Sequence, residues 1–308
     1  MTPKKPLIFM DRRSLILSAA GLLAGCSTPP PAPVVATPAP AAPPRQPRIG
    51  IALGGGGTKG FAHVGVIKAL EAQGLRPDLI AGTSAGSVVG ALYASGLDGF
   101  ALQELAFALD ESKVEDFNLR SPWEGLLIGQ KLQDYVNLLV KNRPIDQLPK
   151  PFVAVATQGD TGQRVDFARG NTGLAVRASC SFPVFFKPAQ ILGKTYVDGC
   201  LVSPVPVDAV RKMGADIVVA VDISAQLGRR VVFDGLSNMI DQSLVIMIKR
   251  LSEQELARAD VVIRPKVGKI GATDFDQKNK AILEGEKSVA LALADIHQAI
   301  QKWQLSHA

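Results

Sequence analysis

Two glycine-bracketed turns, each set between a strand and a helix, constrain this chain more than any other feature. The first, GGGGTKG (Gly54–Gly60), follows the apolar run RIGIAL; the second, GTSAG (Gly82–Gly86), follows DLIA. Between them Phe61, Val64, Ile67 and Leu70 recur at helical spacing, and Gly74 closes that helix. The alternation continues downstream. Helices are predicted over 84–94, 98–111, 130–141 and 236–257, with a helical region over 277–303; strands over 152–157, 164–168, 194–199, 216–223 and 260–265. Strands alternating with helices predict an α/β fold: a mainly parallel central sheet covered by helices on both faces.

The two turns suggest different chemistries. Gly55, Gly57 and Gly60 satisfy G-x-G-x-x-G, which alone is a weak sign of a dinucleotide site. Such a site needs an acid at the carboxyl end of the second strand. Here Asp78 stands at its start, and GTSAG occupies its end. A phosphate loop of the Walker type fails as well, because Lys59 precedes Gly60. The second turn, G-x-S-x-G between strand and helix, has the context of a nucleophile elbow. Gly82 and Gly86 permit the sharp turn, and Ser84 is presented at a helix N-terminus, where backbone N–H groups favour developing negative charge. The first glycine loop leaves the neighbouring strand at the same sheet edge, where its N–H groups can complete an oxyanion hole. Histidine is scarce: only His63, His297 and His307. None has the context of a late triad histidine, and His63 reads as structural. A serine–carboxylate dyad is therefore expected.

The N-terminus has its own logic. Four basic residues precede an apolar run, Leu15–Ala24, too short to span a bilayer. LLAGC (Leu22–Cys26) resembles the lipobox of bacterial lipoproteins, which implies cleavage before Cys26 and acylation there. Ser27, rather than Asp, resembles outer-membrane sorting, and DRRS (Asp11–Ser14) weakly suggests twin-arginine export. The expected division is a signal peptide over 1–25, a lipidated Pro/Ala-rich tether over 26–47, and a hydrolase domain over 48–308. Thr28–Pro47 holds nine prolines in twenty residues and cannot pack a core. At ~3 Å per residue it reaches ~60 Å. The net charge of +6 includes +3 from the signal, leaving 6 − 3 = +3 on the mature chain. That is too mild and scattered for a nucleic-acid partner. Cys180 and Cys200 show no metal spacing; free or bridged states both remain open.

The segments GGGGTKGFAHVGVIKAL, GTSAGSVVGALYASG, RASCSFPVFFKP and YVDGCLVSPVPVDAVRKMGADIVVAVDIS together resemble the patatin-like phospholipases. The match covers about 51–211, leaving a C-terminal helical extension over 235–308. The resemblance implies a patatin-like fold with Ser84 as nucleophile and Asp198 as base. It also implies oxyanion-hole N–H groups from Gly55, Gly56 and Gly57, with Gly60, Gly82, Gly86 and Gly199 supporting the motifs. Two departures stand out: DGC (Asp198–Cys200) replaces DGG or DGA, and Gln158 stands where Asp is frequent. Asp160, Asp166 and Asp222 are lesser candidates for the base. The expected function is hydrolysis of phospholipid or lysophospholipid acyl esters through an acyl-enzyme, with no cofactor or metal. The alternatives are a thioesterase or general carboxylesterase with the same dyad, or an inactive lipoprotein scaffold. Phe117, Leu119, Trp123, Leu126, Leu127 and Ile128 form an apolar cluster, read either as core or as a membrane-facing lip.

Overall fold

The computed structural model describes residues 45–224 and 236–307. The expected signal peptide and Cys26 lie outside the described residues, as does the tether up to residue 44. Strands β1 (Ile49–Leu53), β2 (Leu79–Thr83), β3 (Phe152–Gln158), β7 (Ile217–Val221) and β8 (Val261–Ile263) form the parallel part of one sheet. Strands β4 (Arg164–Phe167) and β6 (Lys194–Asp198) pair antiparallel with β3, and β5 (Ala189–Ile191) pairs antiparallel with β6. The order is β5-β6-β3-β2-β1-β7-β8, with β4 on the other edge of β3.

Helices cover both faces, which is why β1 and β7 are apolar throughout and β2 and β3 turn polar only at their carboxyl ends, at Thr83 and at Thr157–Gln158. On one face Ile51, Leu53, Ile80, Ala154, Val219 and Val221 pack beneath α1 (Phe61–Ala72), α2 (Ala85–Ala94), α5 (Thr172–Ser179) and α8 (Lys278–Ser306). On the other, Ala52, Ala81, Val153, Val155, Val218 and Ala220 pack against α6 (Val207–Lys212). Helix α3 (Gly99–Ala108) lies against α1, and α4 (Gln130–Leu139) against α5. Helix α7 (Leu236–Leu256) ends on the α6 face through Leu256. The long α8 crosses α1 with the two backbones in direct contact. A Cβ on Gly65 would meet the Ile282 carbonyl, and one on Gly285 would meet that of Ala62.

Asn171 caps α5 by accepting the Leu174 N–H (2.7 Å). The sequence reading passed over this helix, together with α6 and β5, because all three are short. The cluster around Trp123 is not core: Phe117, Leu119, Trp123 and Leu126 are exposed.

The amino ends of the strands are held by carboxylates. Asp78 accepts the Ile49 N–H (2.8 Å), and Asp216 accepts the Arg48 N–H (2.7 Å) and pairs with the Arg45 guanidinium (2.8 Å). The described domain therefore starts at the edge opposite the two glycine turns.

Candidate active site

Pairing to β3 brings the site together. Val155 faces Thr83 on one edge and Asp166 on the other; Ala156 faces Asp198 on one edge and Val165 on the other. Since β4 pairs with Ala154–Thr157 along one edge, overlapping both of the other registers, β2 and β6 must share the second edge, end to end. Thr83 and Asp198 thus stand at consecutive positions along β3, and the residue after Thr83 is Ser84.

Ser84 sits at φ 52°, ψ −125°, outside the ordinary regions for a side-chain-bearing residue. Strain of this kind costs on the order of 1–3 kcal/mol and needs surroundings that enforce it. They are present. The Ser84 N–H donates to Ser179 Oγ (2.9 Å), which itself donates to the Val155 carbonyl (2.5 Å). The Ser84 carbonyl accepts from Ser87 N–H (2.8 Å) and Ser87 Oγ (2.7 Å). Gly86 lies against the Leu53 carbonyl at the end of β1, Gly82 against the Gly86 carbonyl, and Gly60 against Ala85 Cβ, so side chains at these glycines would hold the turns apart.

Asp198 ends β6 and is fully buried. Its Oδ1 accepts the Cys200 N–H (2.7 Å), its own N–H donates to the Ser181 carbonyl (2.9 Å), and its carbonyl accepts Thr157 Oγ1 (2.8 Å). Gly199 allows this turn, since a Cβ there would strike the Val155 carbonyl. Burial raises the Asp198 carboxyl from 3.8 to about 6, opposed by the Ser84 hydroxyl and by the N–H and thiol of Cys200. Oδ2 closes no fully aligned hydrogen bond among the described residues. The Ser84 hydroxyl therefore acts on the carboxyl through a loose contact, of the sort that tightens when substrate arrives.

The glycine loop differs from expectation at one position. The Gly55 N–H donates to the Pro204 carbonyl (3.0 Å), so it is not available to an oxyanion. Gly54 N–H is likewise spent on Val221 (3.0 Å), and Thr58 N–H on Ala272 (2.9 Å). Among the described residues the N–H groups of Gly56, Gly57 and Ala85 have no partner; Gly57 is exposed, and Gly56, Ala85 and Ser84 are partly buried. Gly55 matters as a close approach instead: a Cβ there would overlap Cys200 Sγ and stand 3.0 Å from Ser84 Cβ.

His63 is fully buried beneath the loop, and its Nε2–H donates to the Gly54 carbonyl (2.7 Å). Burial pushes its pKa down to about 4, so it is neutral near pH 7. His297 and His307 lie exposed on or just past α8, the latter stacked on Trp303. Asp166 pairs with Arg164 (2.9 Å), Asp222 accepts the Ser224 N–H (2.9 Å), and Asp160 is exposed past β3. Cys180 and Cys200 are free, buried thiols, and burial beside Asp198 pushes both pKa values up.

Glu255 escaped the sequence reading. It lies near the end of α7, is 5% exposed, and accepts Ser203 Oγ (2.5 Å) on one oxygen and the Val205 N–H (2.9 Å) on the other. Between those residues lies Pro204, which holds Gly55; Ser203 accepts from Thr83 Oγ1 (2.8 Å) on its carbonyl. One buried carboxylate thus fastens the strip joining the Asp198 turn to the glycine loop. Burial raises it to about 7. Nothing in the local sequence around Glu255 signals this role, because its partners lie about fifty residues upstream.

The sequence model of the patatin-like phospholipases matches residues 51–211. An uncharacterized NTE family protein of Mycobacterium tuberculosis is 38% identical over 183 residues, which cover 58% of this chain and 50% of that protein. Patatin-like phospholipase domain-containing protein 6 of Mus musculus is 31% identical over 184 residues, 58% of this chain and 14% of that one. The chain thus spans about half the length of the mycobacterial relatives it matches. The crystal structure of VipD from Legionella pneumophila superposes with a TM-score of 0.53 at 15% identity, covering 85% of this chain and 67% of VipD, a likeness of fold.

Proposed function

Since the chain belongs to the patatin-like phospholipase family, we propose that it is a serine acyl hydrolase that cleaves fatty acyl esters of phospholipids or lysophospholipids through a Ser84–Asp198 dyad. The observation that carries this reading is the shared edge of β3, which sets a buried carboxylate one position beyond Thr83, the residue that leads into the strained elbow at Ser84. Asp198 takes the Ser84 proton as Oγ attacks the acyl carbonyl. A carboxyl raised to about 6 is a better base near neutral pH than an ordinary aspartate, while still ionised there. The partnerless N–H groups of Gly56, Gly57 and Ala85 receive the tetrahedral oxyanion. Asp198 then gives its proton to the departing alcohol, and water activated by the same carboxylate releases the fatty acid.

In this reading Cys26 carries the lipid anchor and the domain faces the periplasm at the outer membrane. A fluorophosphonate probe tests the enzyme: it should label the wild-type chain and not Ser84→Ala. A wild-type chain that resists the probe and hydrolyses no ester would leave only a scaffold. Cys26→Ser should abolish incorporation of radioactive palmitate; continued labelling would remove the anchor.

A further inference from the structure

Two segments beside the site carry a surface that the chemistry does not use. Residues 117–128 fold back through a bridge between Phe117 and Leu127, then pair with 182–187. Leu126 N–H donates to the Val184 carbonyl (3.1 Å), Leu127 N–H to that of Phe185 (2.8 Å), and Lys187 N–H to that of Leu127 (2.8 Å). Asn118 Nδ2 braces the first segment on the Ser121 and Gly125 carbonyls (2.7 and 3.1 Å). The backbone is therefore ordered and hydrogen-bonded while the apolar side chains face out. Leu119 is 88% exposed, Trp123 80%, Phe117 64% and Val184 63%. Soluble surfaces scatter such residues singly and seldom gather them on one paired platform. The second segment begins one residue after Ser181, whose carbonyl holds the Asp198 N–H, so the platform adjoins the dyad.

Three observations select its occupant. The charged side chains of the two segments are only Arg120, Glu124 and Lys187, and the last two pair with each other (2.7 Å). That leaves no strong field to match a charged protein, and one cation beside an aromatic tip, the composition of an interfacial anchor. The 19 residues from Cys26 to residue 44 keep the domain within ~60 Å of wherever Cys26 is held. Third, the platform adjoins Ser181, which holds Asp198, the base of the proposed lipid-ester hydrolysis. We infer that residues 117–128 and 182–187 form a docking shelf that enters the lipid bilayer and delivers an acyl chain to Ser84 along an apolar path. This rests on the lipid-hydrolase reading for its purpose, though not for its test.

The test uses the full chain in phosphatidylcholine vesicles. The only tryptophans are Trp123 and Trp303, so Trp303→Phe leaves a single reporter. In that background, with Ser84→Ala to prevent hydrolysis, Trp123 emission should shift to the blue. It should also be quenched by brominated lipid and protected from aqueous iodide. Leu119→Asp should abolish these signals. In the chain with Ser84 intact, it should cut vesicle hydrolysis about tenfold or more and leave a short soluble ester within about twofold. Trp123 open to iodide and blind to brominated lipid would overturn the shelf. So would a blue shift that needs no vesicles and grows with protein concentration, which would mean that a second copy covers it. Equal loss on both esters would assign Leu119 to folding rather than docking. If no ester is hydrolysed by any form, the fluorescence result still stands, and only the enzymatic reading falls.

Discussion

Asp198→Asn should separate stability from catalysis. Burial lifts the carboxyl from its ordinary 3.8 to about 6. A difference of roughly two pH units corresponds to about 3 kcal/mol of native-state destabilisation once the group is charged in both states. The sign follows from proton binding. Between the two values the native state holds the proton more firmly than the unfolded chain, so stability falls as pH rises from about 4 to about 6, then levels off. Asn keeps an acceptor for the Cys200 N–H but cannot ionise. In urea titrations, wild type should therefore gain about 1.4 kcal/mol relative to Asp198→Asn on going from pH 8 to pH 5. Glu255, raised to about 7, titrates in both proteins and cancels from the difference. Esterase activity should meanwhile fall by orders of magnitude in the variant, and the wild-type rate should decline below about pH 6 as the base takes up its proton. A stability difference that does not change with pH would refute the account of a desolvated base. An undiminished rate would remove Asp198 from the mechanism.

Three further outcomes are expected. Gly55→Ala should lose most activity because its Cβ overlaps Cys200 Sγ, and adding Cys200→Ala should restore part of it; no rescue in a folded double variant would place the obstruction at Ser84 Cβ instead. Glu255→Ala should cost about 3 kcal/mol by leaving Ser203 and Val205 without their acceptor, and should depress kcat more than KM for a soluble ester. Glu255→Gln should restore most of both, and failure of that rescue would count against the hydrogen bonds as the cause. His63→Gln should leave the pH–rate profile unchanged between pH 5 and 8, measured on a soluble ester, because the buried imidazole stays neutral there.

What could be read from the sequence divides by range of interaction. Gly82, Ser84 and Gly86 were legible because strand, turn and helix are written within sixteen residues, Leu79–Ala94, and the strained φ of Ser84 is a local property of that elbow. The parallel order of β1 and β2 follows from the same alternation. Asp198 was legible only through resemblance: no spacing rule says that β6 continues the edge of β3 that β2 leaves free. The oxyanion loop was read as three equivalent glycines, and the structure makes them unequal because Pro204, 149 residues away, takes the Gly55 N–H. Glu255 was invisible for the same reason. The Trp123 cluster showed its composition but not its face, since apolar residues without periodicity do not declare which side is wet.

Arg45 is pinned to Asp216 at the amino ends of the strands, whereas Ser84 opens at their carboxyl ends. A domain of about 260 residues is roughly 45–50 Å across. If Cys26 carries the proposed lipid, the tether joins the domain at the pole opposite Ser84, and a domain standing over that anchor would present Ser84 to whatever lies opposite. To reach lipids of the leaflet that held such an anchor the domain would have to turn over, and a leash of ~60 Å would be only slightly longer than the body it had to pass around. Leash length would then decide which of two facing membranes is consumed. Deleting ten tether residues should leave hydrolysis of lipids in an opposing vesicle intact and abolish that of lipids in the vesicle that carries the anchor.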